Sequence, residues 1–102
     1  MSAKKDWQLY RKKAADWQES YMDRLERSYI ALLEGDELPS EKFCKLQKRI
    51  KDDCKELGVS MELDRKYMHW GIAYFIKEGI ITLDDLGDFS PELIAQVKQE
   101  LE

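Results

Sequence analysis

A chain of 102 residues, 43% of them hydrophobic and 37% charged, can build one modest core and no more. Two prolines and five glycines are too few for a loop-rich all-β fold or a disordered chain. Residues 1–58 carry 13 basic and 12 acidic side chains, whereas residues 59–102 carry 4 and 9; the second part, acidic overall, is poorly suited to wrapping nucleic acid.

Met1–Asp6 is not followed by an apolar segment of signal-peptide type. Ser2 replaces the glycine needed for myristoylation, and Gln99–Glu102 is no lipidation box. No apolar run approaches a membrane span of about 18 residues. Cys44 and Cys54, ten apart on one expected helix, would stand roughly 15 Å apart along its axis, too far for a disulfide. Two free thiols in a reducing cytoplasm is the expectation.

In chain order, residues 4–34 read as one long helix. Trp7, Tyr10, Ala14, Trp17 and Tyr21 recur at spacings of three and four residues. The seam then drifts: Arg24 and Ser28 fall where apolar residues are due, and Leu25, Tyr29, Leu32 and Leu33 take over. Such a helix outreaches a domain of this size, so its first turns are expected to project. Trp7, Tyr10 and Trp17 then serve as packing against the second helix, as an aromatic patch for a partner, or as a homodimer seam.

Gly35 and Pro39 end that helix. Ser40 is the expected N-cap of a second helix over 40–57, with Phe43, Leu46, Ile50, Cys54 and Leu57 as its apolar stripe. Glu41–Lys45, Lys48–Asp52 and Arg49–Asp53 are expected ion pairs on its outer face. Gly58 stops it. Asp64 then caps a central helix over 64–78, the densest apolar run (Tyr67–Ile76), with Gly79 as its stop. Val59–Leu63 and Ile80–Thr82 are β-like and could pair as a minimal ribbon. Thr82-Leu83-Asp84-Asp85 resembles a capping box opening a short helix over 83–88, and Ser90-Pro91-Glu92 opens a last helix over 91–101. The expected architecture is a single all-α or nearly all-α domain over 1–102. In it a long N-terminal hairpin packs on the central helix and a short C-terminal helical pair.

Chemistry is poorly provided for. His69 is the only histidine and lies inside the apolar helix, with no glycine-rich elbow to build an oxyanion site. Cys44, Cys54 and His69 lack zinc spacing. Asp84, Asp85 and Asp88 fail the calcium-loop pattern, because Leu86 or Gly87 falls at its third position; capping by Asp84 in a solvated acidic turn is the expected role. The five glycines are isolated, so no phosphate loop exists. No catalytic residue, metal or cofactor is expected.

Ser40-Glu41-Lys42-Phe43, Leu46, Lys48-Arg49-Ile50, Gly58-Val59 and Glu78 through Leu86 resemble small uncharacterised proteins of Gram-positive bacteria and their phages or mobile elements. The resemblance spans most of the chain from Trp17 on and rests on caps, stops and apolar spacing. It implies a bacterial or phage origin and a non-enzymatic accessory role, with no activity to transfer. The expected function is a cytoplasmic protein–protein interaction module, such as a regulator or inhibitor of a host or defence protein. It would act by steric and charge occupation of a partner surface through Trp7, Tyr10, Trp17 or the acids Asp84, Asp85, Asp88 and Glu92. Two alternatives are a DNA- or RNA-binding regulator using Arg11, Lys12, Lys13, Lys45 and Arg49, and a self-associating module. If Trp70 or Tyr74 is exposed, that face becomes a further place for a partner.

Overall fold

Residues 2–60 and 63–102 are described by a computed structural model. They form four α-helices, α1 (Ser2–Leu33), α2 (Pro39–Asp53), α3 (Met68–Lys77) and α4 (Pro91–Leu101), with short 3-10 turns at Arg65–Tyr67 and Leu83–Leu86. The fold is all-α. No strand occurs among the described residues: the amides of Ile80 and Ile81 both turn back to the Phe75 carbonyl, and those of Val59 and Ser60 turn back to Glu56. Met61 and Glu62, the remainder of the expected ribbon, lie outside the described residues.

The helix ends follow local chemistry. Gly79, at φ +78°, closes α3. Its amide bonds to the Ile76 carbonyl and that of Ile80 to Phe75, the paired closure of a Schellman motif. Asp64 caps the 3-10 turn that leads into α3, accepting from the Lys66 amide at 2.9 Å. Thr82 forms a complete capping box with Asp85, so the capping acid is Asp85 and not Asp84. Ser90 caps α4 through the Leu93 amide, with Pro91 inside the first turn. The second helix starts one residue earlier than expected. Pro39 takes the first turn behind Leu38, where its missing N–H costs nothing, and Ser40 is therefore inside the helix. It also ends four residues sooner, at Asp53, with the chain turning through Cys54–Val59 before Gly58 can act as a stop.

The core joins Tyr10, Ala14 and Trp17 of α1 to Met68, Ile72, Ala73 and Phe75 of α3, Ile81, Leu86 and Phe89, and Leu93 and Val97 of α4. The seam of α1 thus packs on α3 and its C-terminal neighbours, not on α2. The Trp17 and Phe75 rings lie 5.5 Å apart and Tyr10 and Trp17 6.2 Å. Burial pushes the Tyr10 hydroxyl up to about 12. Gly71 gives Tyr10 its room, because a Cβ there would overlap Tyr10 Oη. Gln18, also buried, donates to the carbonyls of Leu57 (2.9 Å) and Ser60, tying the turn after α2 to α1.

The first turns of α1 do not project. Asp6 is buried and accepts from the Ser90 amide at 2.9 Å and the Ser90 hydroxyl at 2.5 Å. The opposite end projects instead. The molecule measures 56 × 22 × 21 Å, and α1 alone spans about 48 Å. Its last three turns and α2 form an arm extending from the body.

Candidate functional site

The arm begins where the α1 seam breaks. Arg24 occupies a position where an apolar residue is due, and there it closes the end of α3. Its guanidinium donates to the Glu78 carbonyl, pairs with Glu78 Oε1 at 2.8 Å and lies 5.2 Å from the centre of the Tyr21 ring. A cation at a helix C-terminus meets the negative end of the dipole. Beyond Arg24, α1 has α2 and the turn that follows it beside it.

Polar contacts join the two helices of the arm. Lys42 Nζ donates to the Leu33 carbonyl at 2.8 Å, and Arg49 donates to Ser28 Oγ at 2.7 Å and stacks over Tyr29. The Tyr29 hydroxyl donates to Asp53 at 2.5 Å. Burial, reinforced by that carboxylate, pushes Tyr29 up to about 12. The residues of α2 turned toward α1 are therefore Lys42, Leu46, Arg49 and Asp53, at spacings of 4, 3 and 4. Arg49 and Asp53, expected to pair outward, both face inward. Lys45 pairs with Glu37, and none of the three expected outer pairs forms among the described residues.

This rotation leaves Phe43, Ile50 and Cys54 of the expected stripe outside, while Leu46 faces α1 and Leu57, beyond α2, packs against the core. At 100° per residue, Phe43, Ile50 and Cys54 fall within about 40° of one another and roughly a quarter-turn from the α1-facing line. Phe43 is 70% exposed and Ile50 43%; no residue of α2 is buried. Ile30, Leu33 and Leu38 are exposed near the same end. A groove of about 300 Å³ runs between the helices, lined by Met22, Leu25, Glu26 and Tyr29 from α1 and by Ile50, Asp53, Cys54 and Val59. The expectation that this stripe, as part of the hairpin, packs inward is corrected for Phe43, Ile50 and Cys54. The polar links at Lys42, Arg49 and Asp53 set the rotation of α2 and turn the stripe away.

The expected aromatic contact residues are internal. Tyr10 and Trp17 are buried, and Trp7 is half-covered, 6.0 Å from Tyr10 with Arg11 over its ring. Their seam faces α3 because the central helix is apolar on several sides and takes up the aromatic line of α1; it is neither an exposed patch nor a free dimer seam. Among the acids, Asp85 is held by the capping box, Asp88 lies 3.6 Å from Lys13, and Asp84 and Glu92 are exposed.

The basic residues do not converge. Lys12 on the body is about 24 Å along α1 from Ser28, the partner of Arg49. Lys13 is engaged by Asp88 and Phe89, and Lys45 by Glu37. His69 lies 3.8 Å from Glu100, and no cluster of three metal-binding side chains occurs among the described residues.

A smaller exposed feature lies on the body. Trp70 is 53% exposed, stacks on Tyr67 at 4.6 Å and donates its indole N–H to Glu100 at 2.8 Å. Tyr74 is half-buried and accepts from the Gly58 amide; burial raises its hydroxyl far above the usual tyrosine range. Trp70 thus has partners on both sides, whereas Phe43 and Ile50 stand outside the core. No helix among the described residues is long and apolar enough to cross a membrane.

No protein-family model, curated protein or solved structure matches this chain.

Proposed function

We propose that the chain is a protein–protein interaction module acting by surface contact, without chemistry of its own, and that its contact surface is the apolar side of the arm. One observation carries this reading: α2, 15 residues long, buries none of them, while Phe43 and Ile50 line up on its outer side. An uncovered stripe of this size, bordered by charges, is characteristic of an association site. Apolar area hidden there contributes roughly 25 cal/mol per Å² to association before the cost of ordering is subtracted. The acids of the C-terminal half are a weaker choice, because Asp85 is engaged by the capping box and Asp88 lies beside Lys13. The resemblance to small accessory proteins is compatible with a module of this kind.

The test compares the wild type with Phe43→Glu/Ile50→Glu as baits in bacterial lysate. Both positions are exposed, so the variant keeps its fold. Loss of the captured proteins with the variant supports the arm; capture unchanged by the variant removes it. Asp84→Asn/Glu92→Gln serves as the comparison surface and is expected to capture as the wild type does.

A further inference from the structure

The charges beside the arm's apolar stripe are arranged by helix. On the groove side of α1, the helical phase brings Glu19 and Glu26 to the border, with Asp23 behind them and paired with Arg27 at 3.0 Å. On α2 the border of the exposed face away from α1 carries Lys51, with Lys48 behind it, and Lys55 follows in the turn after the helix. All six are exposed. The border residues are acidic on α1 (Glu19, Glu26) and basic on α2 (Lys51), so the surface is complementary to itself if it meets a copy whose edges are exchanged.

Resting on the reading of the arm as the contact surface, we infer that its occupant is a second copy of this chain. The two arms lie face to face and point the same way, related by a two-fold axis parallel to the arm. That rotation puts α1 of each copy on α2 of the other, acid opposite base. Every helix then has antiparallel neighbours, as in a four-helix bundle. The alternative two-fold axis, across the arm, would lay α1 on α1 and set Glu19 and Glu26 against their own copies.

Size and shape fit a second copy. A compact monomer of this mass exposes about 6,000 Å², and this chain exposes 7255 Å². The surplus, about 1,200 Å², exceeds the roughly 800 Å² that each partner hides in a standard interface. The radius of gyration, 16.4 Å, is likewise above the ~13 Å of a compact chain of this length. The body does not obstruct the pairing. It packs on the Tyr10, Ala14, Trp17 line of α1, about 130° around the helix from the line of Met22, Glu26 and Leu33. The two bodies would therefore fall on the outer sides of the pair.

The arrangement also sets the register. The links from Arg49 to Ser28 and from Lys42 to Leu33 put Glu26 and Lys51 at nearly the same height along the arm. In the same-way pair, Glu26 faces the partner's Lys51, twice per dimer.

Sedimentation equilibrium up to about 100 μM tests this. The wild type is expected at twice 12.1 kDa and Phe43→Glu/Ile50→Glu at the single mass with an unchanged helical spectrum. Glu26→Lys alone and Lys51→Glu alone are each expected to weaken the dimer about tenfold, and the two together in one chain to restore it. A wild type that stays monomeric overturns the inference, as does a double reversal no tighter than the single ones. If the wild type is monomeric but its lysate capture still depends on Phe43 and Ile50, the second copy falls and the arm stands as a site for another protein. Capture that ignores both residues removes the arm itself.

Discussion

Asp6 and Ser90, 84 residues apart, close the body of the molecule. Both carboxylate oxygens of Asp6 are occupied by Ser90, one by its amide and one by its hydroxyl, while the same hydroxyl accepts from the Leu93 amide. A helix cap is thus itself held by the first turns of another helix. This buried carboxylate locks the N-terminal end of α1 into the body, so the opposite end must be the one that projects.

Asp6→Ala is expected to lower stability by about 1–3 kcal/mol, because it removes charge-assisted bonds and leaves the Ser90 amide and hydroxyl donors without an acceptor. Urea unfolding of Asp6→Ala, Ser90→Ala and the double variant should show a double loss smaller than the sum of the single ones. Additive losses would mean that the two residues act independently.

Gly71→Ala is expected to cost about 1–3 kcal/mol, since its methyl would enter the space of the Tyr10 hydroxyl. Tyr10→Phe removes that oxygen. In the Tyr10→Phe background the same Gly71→Ala change should cost clearly less, read as a smaller drop in the urea midpoint.

Tyr10 and Tyr29 both have hydroxyls held up to about 12 in the folded chain, against an ordinary value near 10. The neutral form is the one the fold favours. Its contribution is complete below the unfolded pKa and is lost as pH rises from about 10 through about 12. Absorbance titration at alkaline pH should show these tyrosines ionising late, together with the onset of unfolding. Ionisation of all five near pH 10 with the helical signal intact would contradict the burial described.

Most of the fold is written in local signals. The cap residues Asp64, Thr82 and Ser90, the stop at Gly79 and the aromatic line of α1 are short-range patterns with direct physical causes, and they mark helices whatever surrounds them. What each helix packs against is not local. The apolar stripe of α2 reads as a core face because Phe43, Leu46 and Ile50 have core spacing. Only Lys42, Arg49 and Asp53, bonded to Leu33, Ser28 and Tyr29, fix its rotation, and those pairings exist only in three dimensions. The aromatic seam was legible as a contact surface, but the sequence does not say whether its partner is internal. One signal of the arm is present in the chain: the polar break at Arg24 and Ser28 marks where α1 leaves the body.

Exposed and buried apolar positions should part clearly in stability. Phe75→Ala is expected to cost about 3–5 kcal/mol, since its side chain is fully enclosed. Phe43→Ser and Ile50→Ser should each change monomer stability by no more than about 0.5 kcal/mol. Chemical denaturation at low protein concentration separates these outcomes. A loss of several kcal/mol at Phe43 would make it a core residue.

The central claim is that the outer side of α2 is uncovered in the single chain and is kept for contact. Amide hydrogen exchange at high dilution tests it most directly, because protection follows local burial. The amides over Phe43–Asp53 are expected to exchange much faster than those over Ile72–Ile76, and to slow when the arm is occupied. Equal protection of the two segments in the dilute monomer would contradict the account.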